Sequence, residues 1–178
     1  PGQLRRNFAV VPQDVYLFPG TIATNVAVGD VNPDRKRVEE ALEHVSGLDL
    51  FARREGGIDA KVAERGANFS AGERQLIAFA RALYKNPPIL ILDEATASVD
   101  SDTESRLQHA LSVLMEGRTA LIIAHRLSTI RAVDRIVVLS KGRVIEEGPH
   151  EALLAQNGLY ARLYRLKSAQ DAERLEGA

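Results

Sequence analysis

Along the 178 residues, short apolar runs bounded by turn residues alternate with stretches in which apolar positions recur at helical spacing. Phe8 to Val11 is the first run, closed by Pro12, and predicts a buried strand ending where proline removes a backbone donor. A loop from Gln13 to Gly20 follows. Asn32 offers an N-cap with Pro33 at the first helical position, and Val38, Ala41, Leu42 and Val45 then mark one helix face before Gly47. Ser70 and Glu73 form a capping box ahead of Leu76, Phe79, Ala80 and Leu83, and Asn86 with two prolines ends that helix. Ile89 to Leu92 is a continuous apolar run of the kind buried on both faces of a parallel sheet, with Asp93 and Glu94 at its carboxyl end. Ser101 and Glu104 make a second capping box, opening a helix that carries Leu107, Ala110, Leu111 and Leu114 and stops at Gly117. Thr119 to Ala124 predicts a strand, and Arg135 to Ser140 with Arg143 to Glu147 predict a hairpin around Lys141 and Gly142. Pro149 starts a short helix, Gly158 interrupts it, and Leu159 to Leu166 resumes it.

Strands alternating with helices predict an α/β domain over residues 1–167 with a mainly parallel sheet, followed by a polar tail, 168–178, that frays. Between Gln13 and Phe69 the pattern is helical without strong strand candidates, which predicts a helical subdomain, about 20–86, inserted into the sheet domain. Ligands of such sheets bind beyond the carboxyl ends of the strands, so the chemistry is expected there.

Composition narrows the function. With 45% hydrophobic and 26% charged residues the chain can fill a core. Its 23 basic and 24 acidic side chains nearly cancel, which leaves no field to attract nucleic acid, so an anion has to be held by local geometry. No cysteine is present, so no disulfide or thiolate metal site exists, and a cytosolic setting is expected. No apolar stretch approaches the roughly 20 residues that span a bilayer, and no charged segment followed by a long apolar one, as a signal peptide would need, is visible in these residues. A soluble segment of a longer protein is the expectation.

Certain polar residues are placed for phosphate chemistry. Of two carboxylates ending an apolar strand, one suits Mg²⁺ and the next suits polarising a water, although acids often end strands. Ser70-Ala71-Gly72-Glu73 opens a helix whose small residues let backbone N–H groups approach an anion, although capping boxes are common. His125 after a strand can both donate and accept, and Gln13 offers a neutral carbonyl from a loop. His44, His109 and His150 have no metal-ligand spacing and read as structural.

Taken together, these segments resemble the motifs of ATP-binding cassette (ABC) ATPases. Val11-Pro-Gln-Asp-Val-Tyr-Leu-Phe18 resembles the Q-loop, Asn68-Phe-Ser-Ala-Gly-Glu-Arg-Gln-Leu76 the signature motif and Ile89-Leu-Ile-Leu-Asp-Glu94 the Walker B strand. Ala97-Ser-Val-Asp100 resembles the D-loop and Ile123-Ala-His-Arg-Leu-Ser128 the H-loop, all five in family order over Leu4 to Leu166. The resemblance implies a P-loop NTPase fold of the RecA type, an ATP hydrolase activity, and ATP and Mg²⁺ as cofactors. It implies Asp93 and Gln13 as Mg²⁺ contacts, Glu94 as general base and His125 as the γ-phosphate switch. Ser70, Ala71, Gly72 and Glu73 would face ATP on the opposite protomer of a head-to-tail dimer, with Asp100 communicating across that interface.

Departures from the family pattern are few. Phe69, Ala71 and Glu73 replace the first, third and fifth residues of the usual Leu-Ser-Gly-Gly-Gln, and a carboxylate therefore lies near the γ-phosphate position. None of the 13 glycines is followed by lysine, so the 178 residues contain no Gly-x-x-x-x-Gly-Lys-Ser/Thr loop, and the N-terminal strands, phosphate loop and adenine-stacking segment are expected upstream of Pro1. Phe18-Pro-Gly-Thr-Ile-Ala-Thr-Asn-Val26, Val62-Ala-Glu-Arg-Gly66 and Gly158-Leu-Tyr-Ala-Arg-Leu-Tyr-Arg165 resemble exporter segments, and the resemblance implies that Glu64 would touch the coupling helices. The implied setting is the motor of an exporter on the cytoplasmic face of a membrane, its partners a second nucleotide-binding domain and a transmembrane domain upstream on the same chain. Two alternatives remain open. One is a non-catalytic interaction segment; the other is a non-transport ABC ATPase, which would need a coiled coil between Gln13 and Ser70 where no sustained heptads occur.

Overall fold

The computed structural model describes residues 6–93, 101–124 and 126–176. They form two compact units, 1–123 and 124–178. In the first, β1 (Phe8–Val11), β4 (Ile89–Asp93) and β5 (Thr119–Ile123) make a three-stranded sheet in the order β1-β4-β5. Both pairings are parallel, with Val11 level with Leu92 and Asp93 level with Ile123. β1 and β4 are neighbours in the sheet, yet 77 positions (12–88) separate them in sequence, so the intervening segment is an insertion.

That insertion holds α1 (Ile22–Val26), α2 (Arg35–His44), α3 (Leu48–Ala52) and α4 (Ala71–Lys85), with two-residue strands β2 (Gly20–Thr21) and β3 (Lys61–Val62) paired antiparallel. The sequence offers no strong strand candidate here, and β2 and β3, of two residues each, are too short to carry a period. α2 starts later than Asn32 and Pro33 predict: Asp34 is its N-cap, accepting from the Arg37 N–H, with its own N–H held by the Tyr84 hydroxyl. α4 is the hub, packing against α1, α2, β1 and α5 (Ser101–Met115). Leu76 and Ile77 are fully buried on it, each contributing roughly 2 to 3 kcal/mol by area. It ends as predicted, with Asn86 in the left-handed region and its N–H bonded to the Ala82 and Leu83 carbonyls before Pro87 and Pro88.

β4 corrects a second expectation. Leu90 and Leu92 are buried, whereas Ile89 and Ile91 are only partly covered, so the strand is packed on one face.

The second unit holds α6 (Leu127–Ala132), the hairpin β6 (Ile136–Ser140) and β7 (Arg143–Gly148), α7 (His150–Ala155) and α8 (Leu159–Glu176). Lys141 and Gly142 both adopt positive φ, as a two-residue hairpin turn requires. Val138, Leu153, Tyr160 and Tyr164 form its core. The Glu146 carboxylate accepts from the Leu159 and Tyr160 N–H groups and so caps α8; it occupies the space a side chain at position 158 would need, which only glycine leaves free. α8 continues through Lys167 to Glu176. Among the described residues no helix is long and apolar enough to cross a membrane.

Candidate functional site

The carboxyl edge of the three-stranded sheet gathers two of the predicted residues. Asp93 is the last residue of β4, and Gln13 is exposed in the loop that leaves the neighbouring strand β1 just past Val11. A carboxylate and an amide carbonyl at adjacent parallel strand tips are hard oxygen donors of the kind Mg²⁺ takes together with substrate phosphates. Glu94, Asp100 and His125 lie outside the described residues. No group of three or more His, Cys, Asp or Glu side chains that could hold a metal unaided occurs among the described residues.

Ser70 sits at the start of α4 in extended backbone conformation, exposed, with Ala71 partly covered and Gly72 buried behind it. The capping box read from sequence is formed. Ser70 Oγ accepts from the Glu73 N–H at 3.2 Å, and Glu73 Oε2 accepts from the Ser70 N–H at 2.7 Å. Because the cap uses an oxygen lone pair, the Ser70 hydroxyl proton is left to donate elsewhere. Gly72 lies in the first turn, where a buried position favours a small residue.

Two further side chains were not legible as site residues. Arg54, from the turn after α3, donates to Glu73 Oε1 at 2.7 Å and to the Asn68 carbonyl at 3.2 Å, and lies 4.0 Å from the centroid of the Phe69 ring. A carboxylate in the signature position calls for a cation, but nothing in the spacing names this one. Arg81, one turn from the end of α4, donates from Nε to the Asn25 carbonyl at 2.8 Å and from both terminal nitrogens to the Tyr16 carbonyl. Burial lowers the Arg81 pKa from its ordinary value. Asn25 is itself buried and exchanges hydrogen bonds with both backbone groups of Phe18. The loop carrying Gln13 is thereby tied to the helix that starts at Ser70.

A second tie comes from Gly66. Its φ is +70°, and a Cβ there would fall 2.9 Å from Leu17 Cδ1 and 3.2 Å from Arg74 Cδ, so glycine alone fits. Leu17, fully buried, thus packs the Gln13 loop against the segment that leads to the signature. Glu64 is exposed on the same short segment. Tyr16 and Phe18 are exposed and meet edge to face, with ring centroids 5.0 Å apart.

The ABC transporter family model matches residues 2–97. Over 169 residues the chain is 53% identical to the ATP-dependent lipid A-core flippase of Burkholderia orbicola (strain AU 1054), covering 95% of this chain and 28% of that protein. It is 48% identical over 168 residues to a probable multidrug resistance ABC transporter ATP-binding/permease protein of Bacillus subtilis (strain 168), covering 94% of this chain and 25% of that one. Among solved structures it resembles a bacterial Atm1-family ABC exporter with ATP bound, with a TM-score of 0.84, 43% identity, and coverage of 93% of this chain and 29% of the other. The chain therefore spans under a third of the length of these relatives. From the family match over more than half of its residues, and the parallel α/β core it shares with that exporter, the chain belongs to the ABC transporter family and has its P-loop NTPase fold.

Proposed function

We propose that the chain is the greater part of the nucleotide-binding domain of an ABC exporter, in which MgATP binding and hydrolysis at a head-to-tail dimer interface drive transport. The observation that carries this reading is the placement of Gln13 and Asp93 at adjacent strand tips, with the Gln13 loop hydrogen-bonded through Tyr16 to the helix that presents Ser70. Asp93 and Gln13 would hold Mg²⁺, which when bound draws negative charge from the phosphate oxygens. Glu94, next after the strand tip, would take the proton of the attacking water, and His125 would contact the γ-phosphate. Ser70 would donate its hydroxyl proton to the γ-phosphate of ATP held by the opposite protomer, with Ala71, Gly72 and Glu73 shaping that end of α4 and Asp100 signalling across the dimer. The phosphate-cradling loop, absent from these 178 residues, has to come from elsewhere in the protein.

The partners follow from the same surfaces. The exposed Tyr16 and Phe18 pair, beside Gln13 and linked to α4 through Arg81, is a contact for the transmembrane domain on the cytoplasmic face of the membrane, together with Glu64, two residues before the Gly66 that packs on Leu17. Motion of that domain would reach both Gln13 and Ser70 through these hydrogen bonds. Taken alone, the 178 residues are proposed to bind MgATP very weakly and to hydrolyse none.

Replacement of Glu94 by Gln in the longer protein tests the reading. It removes the base and keeps the volume, so steady-state hydrolysis should fall by roughly 100-fold or more while MgATP is still bound. Turnover within about threefold of the parent would remove Glu94 from the chemistry.

A further inference from the structure

The usual fifth residue of the signature is neutral; here it is Glu73, a carboxylate one turn from the hydroxyl proposed to meet a γ-phosphate. An uncompensated anion at that place would repel a phosphate. Its surroundings remove the difficulty. One oxygen of Glu73 accepts from the Ser70 N–H, and the other faces the Arg54 guanidinium at 2.7 Å. The side chains are only 15% and 28% exposed, so water screens the pair less than it would a surface pair. Arg54 also stacks over Phe69, the second departure from the usual motif, and holds the Asn68 carbonyl. Asn68 in turn accepts from the Ala63 N–H and donates to the Lys61 carbonyl, so the turn that delivers Ser70 is pinned on both sides.

We propose that Arg54 is a positioning residue for the signature helix: its guanidinium neutralises Glu73 and, stacked on Phe69, fixes the turn that presents Ser70 to a γ-phosphate. Phe69, Glu73 and Arg54 then form one set of matched changes. An aromatic ring replaces the usual leucine because it offers a face to the guanidinium, and a carboxylate replaces the usual glutamine because a cation answers it. The inference rests on the reading of Ser70 as a γ-phosphate contact.

The test is a double-mutant cycle in the longer protein, read as KM for MgATP, kcat, and the affinity for MgADP, which lacks the γ-phosphate. Arg54→Gln should raise KM for MgATP roughly three- to tenfold with kcat and MgADP affinity changed less than about twofold. In the Glu73→Gln background the same substitution should cost under about half as much on a logarithmic scale, because no stranded carboxylate is left. Arg54→Lys, which keeps the charge and loses the fork and the stacking, should fall between parent and Arg54→Gln, and it serves if Arg54→Gln fails to fold by thermal melting. An equal penalty in both backgrounds, or equal weakening of MgATP and MgADP, would overturn the proposal. Ser70→Ala separates the two levels: no change in KM for MgATP on that substitution would remove the γ-phosphate reading itself. A clear Ser70→Ala effect without an Arg54→Gln effect would remove only the role of Arg54.

Discussion

The two faces of the sheet β1-β4-β5 carry nearly the same kind of side chain and have opposite fates. On one, Ala9, Val11, Leu90 and Leu92 enter a common core with Leu76 and Ile77 of α4 and Leu107 and Ala110 of α5, and none is more than 7% exposed. On the other, Val10, Leu121 and Ile123 are 60, 62 and 54% exposed. The register places Val10, Ile91 and Leu121 in one row across the three strands, so this is a continuous apolar strip rather than scattered residues. Parallel sheets are ordinarily covered on both faces. The difference teaches that, within these residues, stability resides on the helix-covered side, while the opposite side is exposed apolar surface. β5 pairs with β4 alone among the described residues, which leaves that strand an open edge beside the exposed strip.

The sharpest way to break this comparison is to truncate one leucine on each side. Leu90→Ala should lower the unfolding free energy by about 3 kcal/mol, since it removes a fully buried side chain and leaves a cavity. Leu121→Ala should cost under about 0.5 kcal/mol in dilute solution. Urea unfolding of both variants decides it, and equal losses would mean that the strip is covered after all.

A second experiment addresses what the exposed strip does. The 178-residue chain should self-associate in analytical ultracentrifugation, and Leu121→Thr with Ile123→Thr should weaken that association by about tenfold or more through lost apolar area. A monomer at all accessible concentrations would show that the strip and the open edge are tolerated without a partner.

Much of this layout was open to the sequence because it is local. The capping box of Ser70 and Glu73, the Asn86-Pro87-Pro88 stop and the Lys141-Gly142 turn each need only neighbours within a few residues, and each forms as read. The N-terminus of α2 slipped by two residues because Asp30, Asn32 and Asp34 all offer caps, and contacts outside the helix, including the Tyr84 hydroxyl on Asp30 and on the Asp34 N–H, choose among them. The fate of β4 was not legible: Ile89-Leu-Ile-Leu92 is apolar at every position, and which face is covered depends on elements far away in sequence. The same holds for Arg54, which lies 19 positions before its partner Glu73 with no periodic relation to it. Asp93 and Gln13 reach one sheet edge as expected from strand endings. Glu94, Asp100 and His125 are proposed from motif order alone, and they lie outside the described residues.

The smallest effect concerns the side of the sheet that is covered. α5 is fastened to the helical insertion by Arg106, whose guanidinium donates to Asp49 Oδ1 and Oδ2 at 2.7 and 3.1 Å, to the Ser46 carbonyl at 2.6 Å and to Asp102 at 3.0 Å. Ser46 holds a φ of +53°, so this fork closes on a strained turn between α2 and α3. The hydrogen bond from Arg106 depresses the Asp49 pKa below the ordinary carboxylate value, and Asp49 with Asp102 raises that of Arg106. A depressed folded-state pKa contributes stability above the unfolded value, about 3.9 for aspartate, and that contribution is lost as pH falls through the folded value. Asp49 is 53% exposed, so solvent screening limits the contribution to roughly 0.2 to 1 kcal/mol. Asp49→Asn should therefore be less stable than the parent by that amount at pH 6, and the gap should close as pH drops below about 4 and shrink in 1 M salt. Urea unfolding of parent and variant from pH 6 to pH 3 measures it. A gap that stays constant across that range would mean that the Arg106 fork holds α5 through the Ser46 carbonyl, and that the covered face owes nothing to the charge on Asp49.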